Sequence, residues 1–276
     1  MSILNEFFTL SNGVKMPKIG LGTYKLASED TYSTILEALK IGVRHFDTAI
    51  IYRNEKSIGE AIRDSGVLRE DIFITSKLPP HVKNHAGALR MFEKSLKNLN
   101  VEYIDLYIIN APGPFNDLDG DYDEGNVEVY KTLEQLYREK RVKAIGVSQF
   151  KIKDIENILA HCEIVPHVQQ ISYFIGHTQK ELVDYCKNKN IQIQAFSPLA
   201  KGYLLNNQIV LEIAEAYQTS PSQIALKYII QNNVAPIPKA RKKEHILLNT
   251  ELNFTIEQDD MNKLNSILDD PRKYDD

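Results

Sequence analysis

The chain has no tryptophan and only two cysteines in 276 residues. Cys162 and Cys186 share neither metal-type nor redox-type spacing. That excludes a disulfide scaffold and fits a reducing compartment, so a cytoplasmic location is expected. No stretch approaches the roughly 20 apolar residues of a membrane span. Residues 1–10 hold too short an apolar run for a signal peptide. A basic excess is also missing: 33 Lys and Arg face 37 Asp and Glu, for a net charge of −4. Neither a nucleic-acid partner nor a membrane is therefore expected. Linkers, charge blocks and low-complexity tracts are absent, so residues 1–276 read as one domain and, by expectation, a monomer. With 43% hydrophobic and 25% charged residues, the chain can bury a large core unaided.

What is present is an alternation. Short apolar runs rich in β-branched residues fall at 18–21, 43–46, 72–76, 104–109, 144–147, 167–170, 191–195 and 235–237. Amphipathic stretches of helical period separate them, as at 31–40, 87–99 and 127–140. In the last of these Val129, Leu133, Leu136 and Tyr137 share a face. Strands that alternate with helices predict a parallel sheet. Eight such repeats at this length predict a closed (β/α)8 barrel, the TIM-barrel architecture. An open doubly wound sheet would carry three glycines after its first strand; Gly20 and Gly22 supply two, and Lys25 stands where the third belongs. Ahead of the repeats, Ser11, Asn12 and Gly13 separate two apolar runs, which predicts a β-hairpin capping the barrel bottom.

Active sites of such barrels lie at the carboxyl ends of the strands. Those ends carry Asp47, Lys77, Asn110, Ser148 with Gln149, Gln170, Phe196 with Ser197, and Lys239. Three of the residues form a chemically coherent set. A tyrosine is a poor acid near neutrality, with a pKa of about 10. A neighbouring ammonium stabilises its phenolate, and a carboxylate holds that ammonium in place. Asp47, Lys77 and Tyr52, the last in the loop beyond Asp47, fit this scheme with Tyr52 as general acid.

The run from Gly42 to Ala49, followed by Tyr52, Asn54, Glu55 and Gly59, closely resembles the aldo-keto reductase signature. The resemblance continues through Asn12 to Pro17, Gly20 to Tyr24, Ile74 to Leu78, Ile104 to Tyr107, Ala144 to Ser148, Ala195 to Leu199 and Pro236 to Lys239. It implies an NADPH-dependent oxidoreductase that reduces the carbonyls of small aldehydes or ketones. Tyr52 would be the general acid, tuned by Lys77 and Asp47. Ser148, Gln149 and Gln170 would hold the nicotinamide carboxamide, and Phe196 would stack on the ring. Gly22 and Thr23 would line the cofactor, and Ser197 and Leu199 the pyrophosphate. Lys239 with Arg241 would meet the 2′-phosphate of NADPH or NADP+. His245 stands at the phosphate end and Asn249 at the adenine. Tyr24, Ile50, Leu78, Ala111 and the loop from Pro112 to Asn126 would wall the substrate pocket.

The chain departs from the family where its chemistry is densest. The usual His-Trp-Pro reads Asn110, Ala111, Pro112. An asparagine amide still donates a hydrogen bond to a carbonyl oxygen but cannot relay a proton. Slow turnover is therefore expected; the alternative is a nicotinamide-binding sensor with vestigial activity. Ala111 and Tyr228 occupy two places where the family commonly has tryptophan, which accounts for its absence. Gln149 replaces an asparagine, Ser172 a glutamate and Ala240 a serine or threonine. A short tail after the last helix predicts an open pocket. No metal is expected. His81 and His85, a helical turn apart, lack a partner glutamate. The series Asp117, Asp119, Asp121, Asp123 and Glu128 has Tyr122 where a calcium loop needs glycine.

Overall fold

A computed structural model describes residues 2–118 and 120–268. The chain opens with an antiparallel hairpin of β1 (Phe7–Thr9) and β2 (Lys15–Pro17), in which Phe8 pairs with Met16. Gly13 at φ 85° takes the left-handed turn position between them. Then follow β3 (Leu21–Gly22), α1 (Ser28–Ile41), β4 (His45–Asp47), α2 (Glu55–Asp64), β5 (Phe73–Leu78) and α3 (His85–Leu99). The next units are β6 (Ile104–Ile109), α4 (Asp123–Arg138), β7 (Val142–Ser148), α5 (Ile152–His161), β8 (Val168–Ser172) and α6 (Lys180–Asn188). After β9 (Gln192–Phe196) come α7 (Gln208–Ala216), α8 (Pro221–Gln231), β10 (Ala235–Pro236), α9 (Lys243–Thr250) and α10 (Gln258–Asn265). Among the described residues no helix is long and apolar enough to cross a membrane.

Strands β3 to β10 form one eight-stranded parallel sheet in chain order. The two ends of the sheet meet. Gly20 N–H donates to the Pro236 carbonyl and Gly22 N–H to the Pro238 carbonyl, each at 3.1 Å. The fold is thus the expected (β/α)8 barrel. Gly22 lies on this seam, where a Cβ would come within 2.7 Å of the Ile237 carbonyl oxygen. Barrel closure therefore demands glycine there, whatever else passes by. The last strand is short because Pro236 and Pro238 have no N–H to give the sheet.

Side chains alternate between two environments along every strand. Outward residues such as Phe46, Ile74, Ile145, Val147 and Ile171 join the core beneath the helices. Inward residues at the lower end, including Phe73, Leu106, Ile108, Ala144, Val168 and Ala235, pack with Phe8, Leu10 and Met16 of the hairpin. The hairpin therefore plugs the floor, as expected. Several strands run past the ends expected for them: β5 includes Lys77, β7 Ser148 and β8 Ser172. Polar residues read as loop in the sequence, yet inside the barrel mouth they keep strand geometry and find partners. Helix α4 starts earlier than 127 because Asp123 and Glu124 suit the first turn. The tail from 269 onward, and Asp119 of the acidic loop, lie outside the described residues.

Candidate active site

Asp47 and Lys77 end adjacent strands and both point inward. Lys77 Nζ lies 2.5 Å from Asp47 Oδ1 and 2.8 Å from the Thr48 carbonyl oxygen, with its side chain fully buried. Tyr52 arrives from the loop after β4. A single 3-10 turn (Ile50–Tyr52) and a left-handed Arg53 at φ 59° fold it back, so that its hydroxyl lies 3.4 Å from Lys77 Nζ. Buried Asn54 holds that loop. Its Nδ2 donates to the Thr23 carbonyl at 3.0 Å, and its Oδ1 accepts from Thr48 Oγ1 at 2.8 Å. Burial alone would discharge Lys77, but Asp47 and Tyr52 outweigh it and hold the ammonium above the usual lysine range. Tyr52 runs against the expectation. Burial raises its pKa more than the Lys77 charge lowers it, so the net shift is upward and the phenol keeps its proton. The ammonium thus orients a proton donor and does not pre-ionise it. Tyr24, largely exposed, places its ring 5.0 Å from that of Tyr52.

Asn110 follows β6, the strand next to Lys77, and its N–H donates to the Leu78 carbonyl at 3.0 Å. Its side chain is buried, yet Nδ2 has no hydrogen-bond partner among the described residues. A buried amide nitrogen left unpaired costs about 1–3 kcal/mol unless something else accepts from it. This donor is free at the point where the resemblance puts the substrate oxygen.

Ser148, Gln149 and Gln170 come together across β7 and β8: Ser148 pairs with Gln170, and Gln149 N–H donates to the Gln170 carbonyl at 2.9 Å. Gln149 adopts φ 60° and gives its side-chain nitrogen to the Asn110 carbonyl at 3.1 Å. Gln170 Nε2 is already spent, on Asp47 Oδ2 at 2.7 Å and Gln194 Oε1 at 2.6 Å. Half-buried Phe196 and exposed Ser197, the latter at φ 51°, complete the rim. Non-glycine residues held at positive φ cluster at functional sites, where the surrounding structure holds them.

Residues 18–269 match the sequence profile of the Aldo/keto reductase family. The chain belongs to this family. It is 39% identical over 271 residues to the glyoxal reductase of Bacillus subtilis strain 168, covering 98% of this chain and 95% of that one. It is 33% identical to the glycerol 2-dehydrogenase (NADP(+)) of Saccharomyces cerevisiae strain S288c, over 95% and 90% of the two chains. Among solved structures, an aldo-keto reductase from a Medee basin deep-sea metagenome library superposes with a TM-score of 0.90 at 36% identity, over 95% and 94% of the chains. This aldo-keto reductase is accordingly an oxidoreductase of carbonyl compounds that works with a nicotinamide cofactor.

The remaining candidate residues of the reductase divide into two groups. Lys239, Arg241 and His245 are exposed around the start of α9, and Asn249 is buried within it. Arg241 is already paired, with Asp30 of α1 at 2.9 Å. Thr23 is fully buried and gives both its N–H and its hydroxyl to the Asp47 carbonyl, so it braces the site from behind. Leu199 packs on the core. Of the expected pocket wall, Ile50 is buried at the rim, whereas Leu78 and Ala111 have no exposed surface. Leu78 points outward, into the layer beneath the helices.

Sequence reasoning missed His45 and Gln194, which face inward one step below Asp47 and Phe196, and it missed Lys83. The usable signal for the first pair was a polar residue two positions before a site residue on the same strand. Lys83 Nζ donates to the Pro112 carbonyl at 2.7 Å and Asn126 Oδ1 at 2.5 Å, pinning the segment that follows Asn110. Burial pushes its ammonium down to about 8.

Proposed function

We propose that the chain reduces aldehyde and ketone carbonyls to alcohols with NADPH, Tyr52 serving as the proton donor. The observations that carry this reading are a protonated, Lys77-anchored Tyr52 and, beyond the strand next to that of Lys77, the unpartnered amide of Asn110. The mouth suits a nicotinamide on similar grounds: an unsatisfied buried donor at Asn110 and the left-handed residues Gln149 and Ser197 stand at the carboxyl ends of the strands. A bound reduced nicotinamide supplies the hydride.

The chain's own residues do the rest. Asn110 Nδ2 donates to the substrate oxygen and, with the Tyr52 hydroxyl, orients the carbonyl. As charge builds on that oxygen, Tyr52 gives up its proton, and Lys77, held charged by Asp47, stabilises the phenolate left behind. Ser148, Gln149 and Gln170 would hold the carboxamide, and Phe196 would stack on the ring. Asn110 has no proton to relay, which leaves Tyr52 as the sole acid and makes turnover slow. The intact Asp47, Lys77 and Tyr52 set favours an enzyme over a cofactor sensor. A relative named glyoxal reductase makes small dicarbonyls the first substrates to try.

Preference for NADPH rests on the cations at 239–243 and on a relative whose name carries NADP(+). Dissociation constants for NADPH and NADH decide it. At least tenfold tighter NADPH is expected, about 1.4 kcal/mol; equal values would remove the 2′-phosphate site.

A further inference from the structure

Below the Asp47, Lys77 and Tyr52 set, the barrel interior carries a row of buried polar groups that no step of the reaction uses. Thr75 Oγ1 lies 3.1 Å from His45 Nε2, and the same ring nitrogen lies 3.2 Å from Gln194 Nε2. Gln194 Oε1 accepts from Gln170 Nε2 at 2.6 Å, and Gln170 Nε2 also donates to Asp47 Oδ2 at 2.7 Å. Thr75, His45 and Gln194 are fully buried, and Gln170 and Asp47 are 3% exposed. Such a row is costly unless every hydrogen has one direction.

The direction is fixed from the top. A carboxylate only accepts, so the Gln170 atom facing Asp47 is the nitrogen. Its two hydrogens go to Asp47 and to Gln194 Oε1. Gln194 must then turn its own nitrogen to His45. His45 Nε2 becomes an acceptor, which leaves the ring proton on Nδ1, a buried atom without a hydrogen-bond partner among the described residues. A neutral ring is what this position imposes, since burial pushes His45 down to about 3. The outcome for Gln170 is that both amide hydrogens are consumed inside the protein. Its carbonyl oxygen is the one side-chain polar atom left for a ligand.

We infer that Gln194, backed by His45, is a positioning residue that acts through Gln170. It takes the second amide hydrogen, so that Gln170 presents a carbonyl to the pocket. The site thereby selects a cofactor ring whose substituent donates a hydrogen bond, as a carboxamide NH2 does. This rests on the reading of Gln170 as a carboxamide contact.

The test is equilibrium binding, read by fluorescence titration, of NADP+ and of its 3-acetylpyridine analogue. The analogue keeps the carbonyl and puts a methyl where the NH2 stands. The wild-type chain should bind NADP+ about three- to tenfold more tightly than the analogue, the worth of one hydrogen bond. In Gln194→Met only Asp47 still anchors the Gln170 amide, which can swing about that one bond and lose the aim of its carbonyl, so NADP+ should weaken while the analogue does not, and the ratio should fall to about one. Gln194→Asn, too short to reach, should do the same and serves if the methionine variant does not fold. Gln194→Glu, neutral at this depth, can still accept from Gln170 and donate to His45, so it should restore the ratio. Equal weakening of both nucleotides in the Met or Asn variant overturns the inference in favour of a merely structural role. An unchanged ratio in those variants also overturns it. A wild-type chain that binds neither nucleotide overturns the cofactor reading itself, and this inference with it.

Discussion

The two ends of the barrel use the same eight strands for opposite purposes. At the floor, inward positions are apolar and the hairpin fills the remaining space with Phe8, Leu10 and Met16. At the mouth, inward positions are Asp47, Lys77, Ser148 and Gln170, and a buried Asn110 donor is left without a partner. Large exposed hydrophobics also gather at the mouth, where Tyr24, Ile51, Phe115 and Tyr203 stand on the loops that follow β3, β4, β6 and β9. The floor is therefore built for stability, and the mouth carries groups that a ligand must complete. Between them lies the polar layer of Thr75, His45 and Gln194, hydrogen-bonded to the mouth through Gln170.

Four changes would break or sharpen this contrast. Lys77→Met at the mouth leaves a buried Asp47 carboxylate unpaired, a loss of about 3–5 kcal/mol in stability, and it also abolishes reduction. Met16→Ala at the floor should cost about 2–5 kcal/mol, with kcat per folded molecule unchanged. Urea unfolding paired with steady-state rates checks both. If Met16→Ala slowed the folded enzyme, floor and mouth would not be separable.

Asn110→His comes next. Restoring an imidazole should raise turnover on a small aldehyde panel by about tenfold, less than the roughly 100- to 10,000-fold of full general acid catalysis, because Tyr52 already donates the proton. The dissociation constant for NADPH should stay put. An unchanged or lower rate would mean that the asparagine already does what this pocket needs.

The middle layer is tested by pH. His45 has its pKa lowered to about 3 in the folded chain, against 6.5 for a free histidine. Below about pH 6.5 the unfolded chain binds a proton that the folded one refuses, so stability falls with pH until about pH 3. One such proton is worth about 1.4 kcal/mol per pH unit. Unfolding free energies between about pH 6 and about pH 4 should therefore be flatter by roughly that slope in His45→Asn. An identical slope would show that His45 is not held neutral.

The mouth was readable because Asp47, Lys77, Asn110 and Gln170 lie at or near the carboxyl ends of their strands, each followed by a loop with its own signals. Asp47, Lys77, Asn110 and Gln170 could be placed from strand order alone. The middle layer was not readable: His45 lies inside an apolar run, and its partner Gln194 is distant in sequence. Only the inward alternation of closed strands brings them together. The sign of the Tyr52 shift was equally out of reach, because it depends on how far burial outweighs the Lys77 charge. Leu78 was misplaced for a simpler reason. It follows Lys77 directly, and in a strand that puts it on the opposite face.

The central claim is that a protonated Tyr52 at this mouth completes carbonyl reduction. Its most direct test is a single turnover: the NADPH complex is mixed with excess glyoxal or another reactive aldehyde, and the nicotinamide absorbance is followed. The wild-type chain should oxidise its NADPH, slowly but completely. Tyr52→Phe should do so about 100- to 10,000-fold more slowly while binding NADPH equally well. No oxidation with any aldehyde, or a Tyr52→Phe variant that matches the wild-type rate, would contradict the account.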